Sequence, residues 1–545
     1  MTAVSTDQVK AKGSNVPNQR TRRRLAALGA VIALGAAACS GSSSASTDGA
    51  SGGGAAAAST GTEVNLAFNA DMQVPDPDIF YEIEGNSVTT STYEGLVRYK
   101  PDSTDIEPAL AESYTVSPDG LTYTFKLRSG VTFHDGTPLD SAAAEASFKR
   151  RTDVNSAPAY MLADVASYAT PDASTFVVTL KNPVSPFLDY LAAPYGPKMV
   201  SPKVLADHGG SDFAQDYLKT HDAGTGPFTI SEFVPGDHYK LTRYDGYWGP
   251  KAEVTAINIS IIPDISTARL KLESGELSMI IHGLSLSDID SLSKESSLQV
   301  QRFPAFFKSL VFVNENKGVF KDQALRTALQ SAIDKKTITE QVYGENGTVS
   351  TNNYPKGEMP DGKAMDDPTY DPTKLADAVK SLSDKKVDLA YSSDDARNQR
   401  AAELLQTQLS AAGLDVTTRA IPIAQVFDLP NHPDQAPDLL YATVNPDAAH
   451  PDTWARIFEN TAGALNWLQC SVPEADAQMD VGLSATDKTA VTDAYAKAGD
   501  LLVAAGCFDT VTDIQEVIVA KAGYSGFTHQ MPTLFTIRFG DLKVS

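Results

Sequence analysis

Ser117-Pro118-Asp119-Gly120-Leu121-Thr122-Tyr123-Thr124-Phe125-Lys126-Leu127-Arg128 opens a stretch that runs on through Gly130-Val131-Thr132-Phe133-His134-Asp135-Gly136-Thr137-Pro138. Leu121, Tyr123, Phe125 and Leu127 alternate with Thr122, Thr124, Lys126 and Arg128, and this period of two predicts a half-buried strand. The chain enters it through Ser117-Pro118-Asp119-Gly120, a run of turn formers. Gly130 and Asp135-Gly136 punctuate the segment after the strand, and Asp140 is placed to cap a helix over Ser141–Arg150.

Farther along, Asp322 can cap a second helix, whose Leu325, Ala328, Leu329, Ala332 and Ile333 form one apolar stripe at i, i+3, i+4, i+7 and i+8. Val387–Tyr391 reads as a strand, 397–412 as a helix with Leu405 and Leu409 facing inward, and Leu414–Ala420 as the next strand, with Gly413 as the helix stop. A β-α-β order within about 35 residues predicts an α/β domain. The chain is therefore read as mixed α/β, without internal repeats and with a break near 305–312.

The 545 residues are 42% apolar and 21% charged, enough for two to four folding units and unlike a disordered or fibrous chain. The net charge of −23 repels phosphate backbones, which argues against a nucleic-acid partner. Charge is unevenly spread. Residues 1–38 hold six basic side chains against Asp7 alone, so the remainder carries −28. Leu25–Ala38 is uncharged and 14 residues long, short of the roughly 20 that span a bilayer and within the 7–15 of a signal-peptide core. Residues 1–38 thus read as an export signal. Cys39, after Ala36-Ala37-Ala38 and before Ser40-Gly41, resembles the acylated cysteine of a bacterial lipobox, with Ala36 where Leu is usual. A plain secretory signal is the alternative. Thr21-Arg22-Arg23-Arg24-Leu25 resembles a twin-arginine motif and is equally an ordinary basic flank. Residues 40–62 are Gly, Ala, Ser and Thr apart from Asp48, a composition that cannot bury a core and that spans roughly 25–30 Å as a coil. A lipid at Cys39 would make this a tether above a membrane.

Three cysteines without CxxC spacing exclude zinc ribbons and thioredoxin motifs. In an exported protein Cys470 and Cys507 most simply pair, closing a loop worth roughly 4 kcal/mol on the loop-entropy model; two buried thiols are the alternative. HExxH, GxSxG and GxxxxGK[ST] do not occur, and Pro227 ends any likeness of Gly224-Thr225-Gly226 to a dinucleotide loop. His134 and His238, each beside an Asp in turn sequence, read as surface hydrogen-bonding residues. The balance favours binding over catalysis.

The opening stretch, preceded by Leu110-Ala111-Glu112-Ser113-Tyr114 and followed by Phe148-Lys149-Arg150, resembles the extracellular solute-binding proteins of family 5, the peptide/nickel-type receptors of ABC importers. Tyr93-Glu94-Gly95-Leu96, Gly224-Thr225-Gly226-Pro227-Phe228, Pro235-Gly236-Asp237, Tyr247-Trp248-Gly249, Leu272-Glu273-Ser274-Gly275-Glu276, the Arg326–Asp334 helix and Tyr370-Asp371-Pro372 keep the family order. The resemblance covers about 63–540. It implies an α/β, two-lobed periplasmic-binding-protein-like fold (class II, cluster C), with an extra domain on lobe I and a two-strand hinge. Transferred here, lobe I comprises 63–93, 200–308 and 506–545, the added domain 94–199 and lobe II 309–505, with a hinge near Phe306–Val313.

The resemblance further implies a monomeric receptor without cofactor, metal or catalysis. It would hold a small solute, an oligopeptide or similar amine, and present it to a permease driven by a separate ATPase. In peptide-binding members an Asp in a W-x-x-D-Y-x-D-P-like stretch pairs with the ligand's α-amino group, and Asp447 falls on that position. Val444, Ala448 and His450 stand where the family has Trp, Tyr and Asp, and Pro446-Asp447 is also an ordinary turn pair. Asp71, Met72 and Gln73 after the first strand, His282 after Met279–Ile281, Phe306 and Phe307 near the crossover, and Trp454 complete the cleft candidates. Rival readings are a metal chelate, haem or sugar as cargo in the same fold, an exported lipid-anchored hydrolase, or a surface scaffold.

Overall fold

The computed structural model describes residues 62–359, 369–393, 395–532 and 534–545. The export signal, Cys39 and the tether lie outside the described residues. The opening stretch folds as Thr122–Leu127, the second strand of a four-stranded antiparallel sheet ordered Ala111–Val116, Thr122–Leu127, Thr175–Leu180, Val165–Asp172. Tyr123, Phe125 and Leu127 are buried, as the alternation requires. Gly120 turns the chain at φ 70°, and the Asp119 carboxylate accepts the N–H of Leu121 at 3.1 Å. Asp140 caps the helix Ser141–Val154 by accepting the N–H of Ala143 at 2.8 Å. This helix lays Phe148 on Phe176, ring centroids 5.1 Å apart.

At its far end the helix directs two arginines into the body of the protein. Arg150 donates to both oxygens of Asp76 (2.8 and 2.6 Å) and to Asp78. Arg151 donates to Asp78 at 2.6 Å and to the carbonyls of Pro77 and Tyr195. All four side chains are buried.

A single mixed sheet of 11 strands carries both lobes. Strands Thr62–Phe68, Phe228–Val234, His238–Arg243, Val254–Ile261 and Met279–Ile280 form one end, and Lys386–Ser392, Asp415–Ile421 and Leu439–Val444 the other. Between them run two long antiparallel strands, Leu298–Val313 and Phe508–Lys521, and short Gly347–Val349 pairs with the second. Their pairing holds from Leu298–Phe303 against Glu516–Lys521, breaks, and resumes from Phe307 against Ile514. Pro304 has no N–H to give, and the N–H of Phe306 goes instead to the carbonyl of Met531 at 2.8 Å. The ladder is thus interrupted at 304–306 on the outgoing strand and at Gln515 on the returning one.

Beyond the break, Leu310 and Phe312 face one apolar cluster while Val311 and Val313 face another, so the strand is buried on both faces. The predicted β-α-β unit is present as Lys386–Ser392, helix Ala396–Ala411 and Asp415–Ile421, the two strands parallel. Leu405 and Leu409 are fully buried, and Gly413 ends the helix turn at φ 99°. Asp322 caps helix Gln323–Ala332 through the N–H of Ala324. Gly224 and Gly226 press on helix Asn86–Thr92, where a Cβ would come within 2.0 Å of the Thr92 carbonyl and 2.4 Å of that of Ser91. They serve close packing. Cys470 and Cys507 form a disulfide with Cα atoms 6.1 Å apart, beside the start of the returning strand. His238 lies on the surface between Asp237 and Glu232. His134 does not: it is enclosed against Tyr244, bonded to Asp222 and to the Gly226 carbonyl, because the turn carrying it packs onto the 222–228 segment.

The buried charges generate two predictions. Removing Arg151 leaves the Asp76 and Asp78 carboxylates to share Arg150 alone in a dry site, so Arg151→Met lowers unfolding free energy by about 3–5 kcal/mol, read by urea denaturation. Next to the lobe change, His529 lies between Glu516 at 2.8 Å and Asp102 at 3.7 Å, its ring on Phe303. Burial opposes its charge, but the Glu516 carboxylate, with Asp102, prevails and pushes it up to about 9. A raised imidazole contributes fully below its ordinary value of about 6.5 and loses the contribution as pH rises through 9. The stability deficit of His529→Gln against the parent is therefore largest near pH 6 and shrinks by pH 9.5.

Candidate solute-binding cleft

Strand Leu439–Val444 ends in Asn445-Pro446-Asp447-Ala448-Ala449-His450, which leads into the short helix Pro451–Trp454. Pro446 stops the strand, and the segment reaches out of lobe II against the other lobe and its added domain. Asp447 is 8% exposed. Its carboxylate accepts the hydroxyls of Tyr81, from the lobe I segment after the first strand, and of Tyr160, from the added domain, the latter at 2.6 Å. Burial pushes the Asp447 carboxyl up and the two hydroxyls pull it back. The Tyr81 and Tyr160 rings are each 37% exposed, with their hydroxyl ends turned inward.

The neighbouring residues hold the same closure. The N–H of Ala449 donates to the Tyr99 hydroxyl at 2.9 Å, and that hydroxyl donates to Asp189 at 3.0 Å. Ala448 and Ala449 join the apolar cluster of lobe I and the added domain beside Tyr99, Tyr190 and Tyr195. Their small side chains leave room for these tyrosines to approach. Asp452 accepts from Tyr495, from Arg456 at 2.9 Å and from Tyr190 at 3.4 Å. Ile83 and Phe535 pack onto the lobe II cluster.

The other candidates are dispersed. Met72 is fully buried in lobe I, its N–H on the Tyr239 hydroxyl at 3.1 Å. Asp71 is half-buried and raised by burial, with the Gly236 backbone opposing, and Gln73 is exposed. His282 pairs with Glu84 at 3.3 Å and stacks on Phe535, centroids 4.1 Å apart. Phe306 lies in the lobe I cluster and Phe307 in the lobe II cluster, one residue on. Trp454 is fully buried within lobe II, donating to Glu459 at 3.2 Å. His450 is neutral, burial having pushed it down to about 3, and its Nδ1 caps the 451–454 helix.

Sequence reasoning missed Tyr81, Tyr99, Tyr160, Tyr190, Glu459 and Lys308. Only Lys308 carried a signal, a cation inside the apolar run Phe303–Val313. It is fully buried, donating to Ser350, to the Asn352 carbonyl at 2.8 Å and to Asp513 at 2.9 Å. Glu459, held by Asn353 and Trp454, is raised by burial to about 8.

Architecture and cleft together are those of a two-lobed receptor that closes over a solute. The chain belongs to the bacterial extracellular solute-binding proteins, family 5, whose "family 5 Middle" model matches residues 105–466. It is 28% identical over 448 residues to the probable D,D-dipeptide-binding periplasmic protein DdpA of Escherichia coli (strain K12), a match covering 80% of this chain and 85% of that protein. The fold matches the ABC transporter-associated periplasmic binding protein DppA from Helicobacter pylori in complex with peptide STSA. There the TM-score is 0.75 at 23% identity, covering 89% of this chain and 98% of that one. It also matches NikA from Brucella suis in complex with Fe(III)-EDTA, at TM-score 0.79 and 23% identity over 89% of this chain and 100% of that one. This chain is accordingly an extracellular solute-binding receptor.

Each tyrosine hydroxyl on Asp447 contributes about 1.5–3 kcal/mol as a bond to a charged group. The double variant Tyr81→Phe/Tyr160→Phe is expected to shift the empty receptor towards the open form, seen as a larger radius of gyration in small-angle scattering.

Proposed function

We propose that the receptor captures oligopeptides or similar amine-bearing solutes between its lobes, with Asp447 as the partner of the solute's ammonium group. One observation carries this reading: a buried carboxylate at the lobe interface whose partners are neutral hydroxyls. Such a group has no cation among its hydrogen-bond partners, and a cationic solute meets it without displacing one. The peptide named with the Helicobacter pylori protein and the dipeptide named for the Escherichia coli relative support the cargo class.

Capture is a population shift. The solute touches both lobes only in the closed form, and so draws the equilibrium to it. We read lobe I as 62–93, 200–306 and 516–545, the added domain as 94–199 and lobe II as 307–515. Rotation would centre on the pairing break at Pro304–Phe306 and Gln515. The chain performs no chemistry on its cargo; a separate ATPase powers transfer through the permease. Residues 1–38 export the chain by the Sec or twin-arginine route. Acylated Cys39 then holds the monomer on the outer face of the cytoplasmic membrane.

Native mass spectrometry of protein purified from its source is expected to show a ladder of bound small peptides. A bound chelate or sugar overturns the cargo, and an empty protein that cleaves a substrate library overturns the receptor. Asp447→Asn lowers affinity for a free-amine peptide at least about 30-fold, while an N-acetylated peptide binds both forms equally poorly.

A further inference from the structure

A second buried carboxyl, that of Glu358, has no hydrogen-bond partner among the described residues. After strand Gly347–Val349 the chain makes the turn Pro355-Lys356-Gly357-Glu358, closed by the N–H of Glu358 on the Pro355 carbonyl at 3.1 Å. Gly357, at φ 95°, lies against the lobe change: a Cβ there would come within 3.4 Å of Met531 and 3.7 Å of Phe306. Asp513 on the returning strand accepts the N–H of Lys356 at 3.3 Å. The turn is therefore held from two sides, and it drives the Glu358 side chain inward. Glu358 is 8% exposed, and among the described residues neither of its carboxyl oxygens has a hydrogen-bond partner.

Its surroundings come from every part of the receptor. Within electrostatic reach are Lys308 on the outgoing long strand, Asp189 on the added-domain helix Phe187–Ala192, and Asp452 and Glu459 of lobe II. Burial raises the Glu358 carboxyl well above its usual range, Lys308 opposes, and the three other carboxyls add to the rise. Lys308 is the cation in this set, and its ammonium already donates to Ser350, Asn352 and Asp513, which exhausts its three N–H groups. No donor reaches either Glu358 oxygen, so the ionised carboxylate is buried without a hydrogen bond, a costly state that a donor on the solute would relieve. Asp447, by contrast, is satisfied by two hydroxyls.

We infer that Glu358 is a second anionic subsite of the cleft, taking an ammonium or guanidinium group of the solute other than the one at Asp447. The receptor then selects solutes with two separated positive groups, such as peptides carrying a lysine or arginine side chain. The inference rests on the cleft reading above and narrows it. A buried carboxyl that no donor reaches offers such a group a charge-assisted hydrogen bond and disfavours an acidic side chain.

Isothermal titration of the full chain with the peptides Ala-Lys-Ala and Ala-Ala-Lys, each beside its norleucine counterpart, tests this. At least one lysine peptide is expected to bind about ten-fold or more tightly than its counterpart. In Glu358→Gln, which keeps shape and removes charge, that advantage falls below about two-fold while norleucine peptides bind unchanged. Equal binding of lysine and norleucine peptides to the parent, or a preference that survives in Glu358→Gln, overturns the subsite and leaves the peptide cargo standing. If none of the four peptides binds, both readings fall.

Discussion

Leu298–Val313 and Phe508–Lys521 are paired along almost their whole length, yet each half of the pair belongs to a different lobe. Every other strand of the large sheet joins one end or the other of this ribbon. The lobes are thus attached by two adjacent backbones, and relative motion reduces to bending or twisting of a two-strand ribbon. The ladder is interrupted where Pro304 offers no donor. On either side it is pinned by side chains: Lys308 directly across from Asp513, and Glu516 gripped by His529. Phe306 and Phe307, adjacent in the chain, pack in different apolar cores. A hinge of this kind is localised because ordered pairing resumes immediately on both sides.

Charge burial divides the molecule into parts that must stay fixed and parts that must exchange partners. Asp76 and Asp78 are neutralised by Arg150 and Arg151 in bidentate and fork geometries. This welds the added domain to the segment that follows the first strand of lobe I. Asp447 is solvated only by hydroxyls, with no compensating charge among its hydrogen bonds. The same chemical group therefore builds a joint in one place and leaves an unmet demand for a cation in the other. Tyr81 lies five residues after Asp76, so the welded segment also carries one of the hydroxyls on Asp447. The rigidity of the ionic cluster is what aims that hydroxyl.

Local patterns were legible in the sequence wherever one residue's conformation or one face's burial decided the outcome. The alternation at 121–127, the caps Asp140 and Asp322, Gly413 as a helix stop and the 387–420 unit all depend on neighbours within a few positions. The family resemblance supplied the two-lobed plan, which no local pattern contains. Partners in the cleft were not legible. Tyr81, Tyr160 and Asp447 are 79 and 287 residues apart in sequence and are brought together by the tertiary fold alone. His134 looked like a surface residue because its own turn is polar, whereas its burial comes from a segment near Asp222. Trp454 and Met72, plausible by position, face the cores of their own lobes. Glu358 gave no sign at all, because an unpaired carboxyl is defined by what fails to surround it.

The order in which the sheet is threaded has a consequence for how the chain comes to be folded. Thr62–Phe68 finds its parallel neighbour Val254–Ile261 some 190 residues later, and its other neighbour, Met279–Ile280, pairs onward with Val519 and Ala520. Lobe I therefore lacks its inner edge until nearly the last residues have been synthesised. Lobe II needs only the intervening stretch and the first half of the returning strand, and it is stapled there by Cys470–Cys507. Contacts of such long sequence separation form slowly, since loop closure precedes any stabilising contact. That delay leaves lobe I to be completed last.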